Sequence, residues 1–171
     1  MEQHVHFHEA AWGADSTGLI AGYELIAGRP ARPLNSDAVP AALTRLQSCG
    51  QAQGFLWLHV DLAHASTVRW LQNHAQLPDI FYEALGSEVR STRVEQAGDA
   101  LVAVVNDLVF DFDFDPADLT TLWVCLKSHL VVTARQHRLR SVDALRNRIR
   151  SGESLDTPLG LLEHLLRAQC D

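Results

Sequence analysis

Cysteine is scarce in this chain, and Cys49, Cys125 and Cys170 are odd in number, far apart and without a Cys-x-x-Cys pair. That excludes a disulfide framework and a thiolate zinc site, and it fits a reducing cytosol. Cationic residues are also in deficit, 14 Lys and Arg against 21 Asp and Glu, for a formal net charge of −7. A nucleic-acid surface needs clustered cations to displace phosphate counterions, so no nucleic-acid partner is expected. No uncharged run reaches the roughly 18 residues of a membrane helix, and no basic stretch followed by an apolar core opens the chain as a signal peptide would. Gly-rich phosphate loops, a Gly-x-Ser-x-Gly elbow, internal repeats and low-complexity linkers are missing too.

What remains is 171 residues with 47% hydrophobic and 20% charged content, enough for one globular domain with a sizeable core. Residues 1–16 are polar and His-rich and read as a loose tail, so the domain spans 17–171. Leu19–Ala27 alternates in part, and Gly28-Arg29-Pro30 turns it back as the first strand pair. Ser36 or Asp37 is positioned to cap a helix that runs through Gln47 and ends at Gly50. Phe55–Asp61 is a nearly continuous apolar run of the kind found in a buried central strand. A helix over His64–His74 follows, with Val68 and Leu71 on one face and Trp70 beside them. Pro78 opens another, through Leu85, that Gly86 closes.

Strands are then expected at Arg93–Gln96 and Leu101–Phe110 around a Gly98-Asp99 turn, and at Leu119–Leu126 and Leu130–Thr133 around Lys127–His129. The next helix carries Val142, Leu145 and Ile149 on one face before Gly152. Thr157-Pro158 opens a last one, with Leu161, Leu162, Leu165 and Leu166 at helical spacing and neither glycine nor proline to stop it. The expectation is a domain cut from a longer protein whose next part continues that helix. Helices in blocks between groups of strands indicate an α/β layered sandwich with a mixed sheet.

Three motifs invite chemistry. His8-Glu9-Ala10-Ala11-Trp12 begins like a His-Glu-x-x-His zinc-protease site but has Trp12 where the second histidine belongs. In His4-Val5-His6-Phe7-His8, alternate residues of an extended chain would offer His4, His6 and His8 to one ion, and imidazole suits zinc, copper or nickel. The competing reading is a compositional tract in a terminal tail. Asp111, Asp113 and Asp115 resemble the front of a calcium loop, but Pro116 stands where glycine is required and Leu122 where a bidentate glutamate is required. An acidic hairpin tip is the plainer reading, able to collect a hydrated divalent cation where two copies meet. His59, His64, His74, His129, His137 and His164 are scattered and read as structural, with His59 and Asp61 on one side of the central strand. No nucleophile stands by a base at a recognisable spacing, so no enzyme is expected.

Four stretches share a pattern: Trp57-Leu58-His59-Val60-Asp61; Trp70-Leu71 with Leu77-Pro78 and Glu83-Ala84-Leu85; Arg93-Val94 with Gly98-Asp99-Ala100-Leu101; and Leu130–Arg135 with the helix to Gly152 and the Thr157-Pro158 opener. Together they resemble the N-terminal cytoplasmic domain of the CorA-type divalent cation transporters, most closely the ZntB zinc-transporter branch, from about Gly18 to the end. The resemblance implies an α/β/α sandwich with a central mixed β-sheet that walls a cytoplasmic funnel in a homopentamer. It further implies a last helix that begins a stalk leading to two membrane helices, with the channel signature Gly-Met-Asn beyond this sequence. One departure is Ser91-Thr92-Arg93, with Arg90 one place early, where the family commonly has an Arg-Pro-basic triplet.

The function so implied is a regulatory and assembly domain on the cytoplasmic side of the bacterial inner membrane. Its partners would be the other subunits, divalent cations, and the membrane through helices absent here. Zn2+ or Mg2+ would be the transported or regulatory ion, and histidine content leans to zinc. The alternative is a stand-alone soluble metal-binding or scaffold domain of the same fold. A soluble enzyme with an unrecognised site is a third reading.

Overall fold

The structure, a computed structural model, describes residues 13–48, 54–89, 91–108 and 119–168. Leu19–Ile26 forms β1, and the turn at Gly28 (φ +70°) returns the chain to the short β2, Arg32–Pro33. Helix α1 covers Val39–Ser48 and β3 covers Gly54–Asp61. Two short helices follow, α2 over Thr67–His74 and α3 over Asp79–Gly86. Strands β4 (Arg93–Ala97), β5 (Ala100–Leu108), β6 (Leu119–Leu126) and β7 (Leu130–Arg135) complete the sheet. Helices α4 (Arg140–Arg150) and α5 (Pro158–Arg167) end the described chain.

The seven strands run in the order β2-β1-β3-β7-β6-β5-β4. Every neighbouring pair is antiparallel except β3 and β7, which are parallel, so the sheet is mixed. Alternation along each strand sends residues to two faces. Leu56, Leu58 and Val60 of β3 pack with Val39 and Leu43 of α1, Leu71 of α2 and Phe81 of α3. Phe55 and Trp57 pack on the other face with Val142, Leu145 and Ile149 of α4 and Leu161 and Leu165 of α5. With helices on both faces, β3 has no exposed side and its sequence is apolar at nearly every position. The fold is an α/β/α sandwich around a mixed sheet, as expected.

Two local expectations are corrected. Val68 is 38% exposed, and Thr67 takes the buried place beside Leu71. Asp61 explains the shift: its Oδ1 accepts from the Ala63 N–H (2.9 Å) and its carbonyl accepts from the Thr67 hydroxyl, so residues 61–66 turn before α2 begins. Likewise, neither Ser36 nor Asp37 caps α1. Asn35 Oδ1 accepts from the Ala38 N–H (3.0 Å) ahead of the helix instead. The opener of α5 is as expected, with Thr157 Oγ1 accepting from the Gly160 N–H at 3.0 Å. Leu161, Leu162 and Leu165 are buried, whereas Leu166 is 39% exposed.

Gly18 joins β1 to α2. Its φ is +90°, and a Cβ there would lie 1.8 Å from Thr67 Oγ1. Gly18→Ala therefore combines left-handed backbone strain with a collision against a buried side chain, and is expected to cost about 2–4 kcal/mol. Urea denaturation checks this, and Gly28→Ala, with nothing within 4 Å of the added carbon, isolates the backbone part.

Candidate functional site

Parallel pairing of β3 with β7 sets His59 opposite Thr133 and Asp61 opposite Arg135. The side chains of Trp57, His59, Thr133 and Arg135 share the face covered by α4 and α5. Trp57 and Thr133 are fully buried and His59 is 1% exposed, so each polar atom there needs a partner inside the protein. Thr133 Oγ1 lies 2.9 Å from Trp57 Nε1 and 2.9 Å from His59 Nδ1. His59 Nε2 lies 3.2 Å from Arg135 Nε.

Donor inventory fixes the direction of every bond. Indole and guanidinium nitrogens only donate, so His59 Nε2 is an acceptor and carries no proton. The imidazole proton is then on Nδ1 and is given to Thr133, whose oxygen accepts twice and whose own hydrogen faces the Leu58 carbonyl at 3.5 Å. Burial holds the His59 pKa well below the usual imidazole range, and Arg135 and Arg146 lower it further against the opposing contact with Thr133. This histidine is a neutral relay between an arginine and a threonine, with no lone pair left for a metal.

Arg146 lies beside this network. It follows Val142 by four residues and precedes Ile149 by three, which places it on the buried stripe of α4. It is only 7% exposed. Its Nη1 is 3.6 Å from Asp143 Oδ1, while Asp143 Oδ2 takes the Arg138 Nε at 2.6 Å. Arg146 Nε is buried and has no hydrogen-bond partner. Next to it a cavity of about 600 Å³ opens between β1, β2 and α4. Arg146 and Arg150 line it, together with apolar surface from Ile20, Tyr23, Pro33 and Ile149.

Asp15 also lines the cavity. Its Oδ1 accepts from the Thr17 N–H (2.8 Å), the Thr17 hydroxyl (2.6 Å) and the Leu19 N–H (3.0 Å). Burial alone would raise its pKa, but these bonds and the Ser36 contact outweigh it and hold the carboxyl below its ordinary value. On the opposite face of the sheet, Glu24 is 5% exposed and clamped by Arg32 and Arg45. Those two guanidiniums overcome the desolvation of Glu24 and lower its pKa.

The metal candidates His4, His6, His8, Asp111, Asp113 and Asp115 lie outside the described residues. Among the described residues no group of three or more His, Cys, Asp or Glu side chains is placed to hold a metal ion. Two other histidines have local roles. His164 bonds the Gly160 carbonyl (2.8 Å) and Glu153 (3.1 Å), and His129 bonds Gln47 (3.2 Å). The same-side placement of His59 and Asp61 is as expected, but Thr133, Arg135 and Arg146 were not singled out from sequence. Arg146 left a signal, a cation at a helical position between buried apolar residues. Thr133 and Arg135 left none, because a parallel partner distant in the chain brings them in.

Comparison with solved structures places this geometry among known folds. Full-length CmaX superposes with a TM-score of 0.76 at 22% identity, covering 91% of this chain and 46% of that one. The ZntB cytoplasmic domain from Vibrio parahaemolyticus gives 0.68 at 12% identity, over 88% of this chain and 57% of the other. The soluble domain of CorA from Methanocaldococcus jannaschii gives 0.58 at 16% identity, over 87% and 55%. Among curated sequences, the zinc transport protein ZntB of Yersinia enterocolitica is 31% identical over 96 residues, 56% of this chain and 29% of that protein. ZntB of Yersinia pestis is 27% identical over 119 residues, or 70% and 34%. The chain thus spans about a third of the length of these curated relatives. No described helix is long and apolar enough to cross a membrane. A family model for the CorA-like Mg2+ transporter protein matches residues 52–171, well over half of the sequence, and the chain belongs to that family.

Proposed function

We propose that the chain is the cytosolic regulatory and assembly domain of a divalent cation transporter in the bacterial inner membrane. The observation that carries this reading is the family match over 52–171, which extends through β3 to α5 and so takes in most of the sandwich. In this reading residues 17–171 are the funnel-wall domain, and α5 is the start of a stalk that continues into membrane helices. Copies of the chain assemble into a pentamer in the intact protein. The mechanism is electrostatic: net charge −7 per chain raises the local concentration of divalent cations, and an ion bound between subunits shifts the open–closed equilibrium by its unequal affinity for the two states. Zn2+ or Mg2+ is the cargo, and the domain makes and breaks no covalent bonds.

An antibody raised against the domain, used on membrane and soluble fractions of source cells, tests this reading. The expected result is a membrane band much heavier than 18.9 kDa. A soluble band at the mass of this chain overturns it.

A further inference from the structure

We infer that the cavity between β1, β2 and α4 is a binding site for a small organic carboxylate with a compact apolar body, and that Arg146 is its counter-ion. This site is independent of the cation-transport reading and lies in the interior seam of one copy of the chain.

The first argument is charge. A guanidinium carries five donors and stays ionised, so removing it from water is costly unless acceptors replace the lost hydration. Arg146 is 7% exposed, yet its Nε has no acceptor. The carboxylate beside it, Asp143, stands 3.6 Å from Nη1, beyond a normal hydrogen bond, and binds Arg138 at 2.6 Å. Asp143 thus serves Arg138 first and leaves Arg146 without a close acceptor among the described residues. Asp15, the carboxylate in the cavity wall, accepts at Oδ1 from Thr17 and Leu19 and makes no hydrogen bond to Arg146. What the described residues leave open is an acceptor for the buried Arg146 Nε, and an oxyanion in the cavity supplies it.

Shape and wall chemistry narrow the class. A volume of about 600 Å³ suits a small molecule and is too small for a folded partner. Ile20, Tyr23, Pro33 and Ile149 offer apolar and aromatic contact opposite the two arginines. A planar guanidinium pairs bidentately with either carboxylate or phosphate. A mostly apolar wall disfavours a phosphate dianion, whose desolvation cost exceeds that of a singly charged carboxylate. Tyr23 also stacks on Trp57, with ring centroids 5.9 Å apart, so occupancy at the wall is coupled to the buried network of His59 and Thr133.

Titration of the 15N-labelled chain with phenylacetate tests the assignment through the Arg146 Nε–H resonance. The expected result is a saturable shift of that resonance. Phenylacetamide, the neutral isostere, and inorganic phosphate are each expected to bind at least tenfold more weakly. Arg146→Met is expected to abolish phenylacetate binding while leaving the chain folded, and Arg150→Gln to weaken it severalfold. The wild-type comparison decides even if Arg146→Met fails to fold. Equal binding of phenylacetate and phenylacetamide, or no saturable shift, overturns the site. A phosphate affinity matching that of phenylacetate overturns the apolar-body assignment.

Discussion

Thr133→Val is expected to destabilise the chain by about 2–6 kcal/mol, although the two side chains have nearly the same shape. The threonine oxygen accepts the Trp57 Nε1–H and the His59 Nδ1–H, both at 2.9 Å, in a fully buried setting. Valine leaves both donors without a partner, at about 1–3 kcal/mol each, because neither reaches water. Thr133→Ser is the control. It keeps the oxygen and removes a methyl group, at a cost of about 1 kcal/mol. For a chain of this size each kcal/mol lowers Tm by roughly 2–4 °C, so the two variants are well separated in a thermal melt. Equal losses for valine and serine would show that packing alone matters at this position.

The second large effect is acid sensitivity. His59 is neutral when folded and its pKa lies well below that of an exposed imidazole, chiefly through burial and then through Arg135 and Arg146. The unfolded chain therefore binds a proton at this residue, below a pH of about 6.5, that the folded chain refuses. Stability contributed by His59 is complete above that pH and is lost as pH falls, at up to about 1.4 kcal/mol per unit. His129, whose pKa burial and then Lys127 lower, adds to the same slope. Glu24 and Asp15 have depressed carboxyl pKa values, so their contributions fade only at more acidic pH, below about 4.5. Urea midpoints between pH 7.5 and 5 are expected to fall for the wild type and to fall less for His59→Gln. Parallel slopes for the two would contradict a neutral buried His59.

Much of the fold was legible because local chemistry and tertiary placement agree. Phe55–Asp61 is apolar at successive positions because helices cover both faces of β3. Pro78, Gly86 and Thr157-Pro158 mark helix ends by steric and hydrogen-bonding rules that no distant contact overrides. Where another contact competes, sequence reading fails by a residue or two. Ser36 and Asp37 suit a cap by type, but Asn35 Oδ1 takes the Ala38 N–H ahead of the helix. Val68 is the better core residue by type, but Thr67 sits against Gly18 and bonds Asp61.

The site was less legible for the same reason. His59 is visible as an anomaly in an apolar strand, whereas its partners Thr133 and Arg135 depend on a parallel register across more than 70 intervening residues. Arg146 is an anomaly of the same kind on α4, and its meaning depends on Asp143 turning toward Arg138.

The most direct test of the transporter account is divalent cation flux by the full-length gene product in sealed proteoliposomes, with Zn2+ and Mg2+ as separate cargoes. The account predicts uptake of one or both ions above protein-free vesicles. Correctly inserted protein that moves neither ion would contradict it.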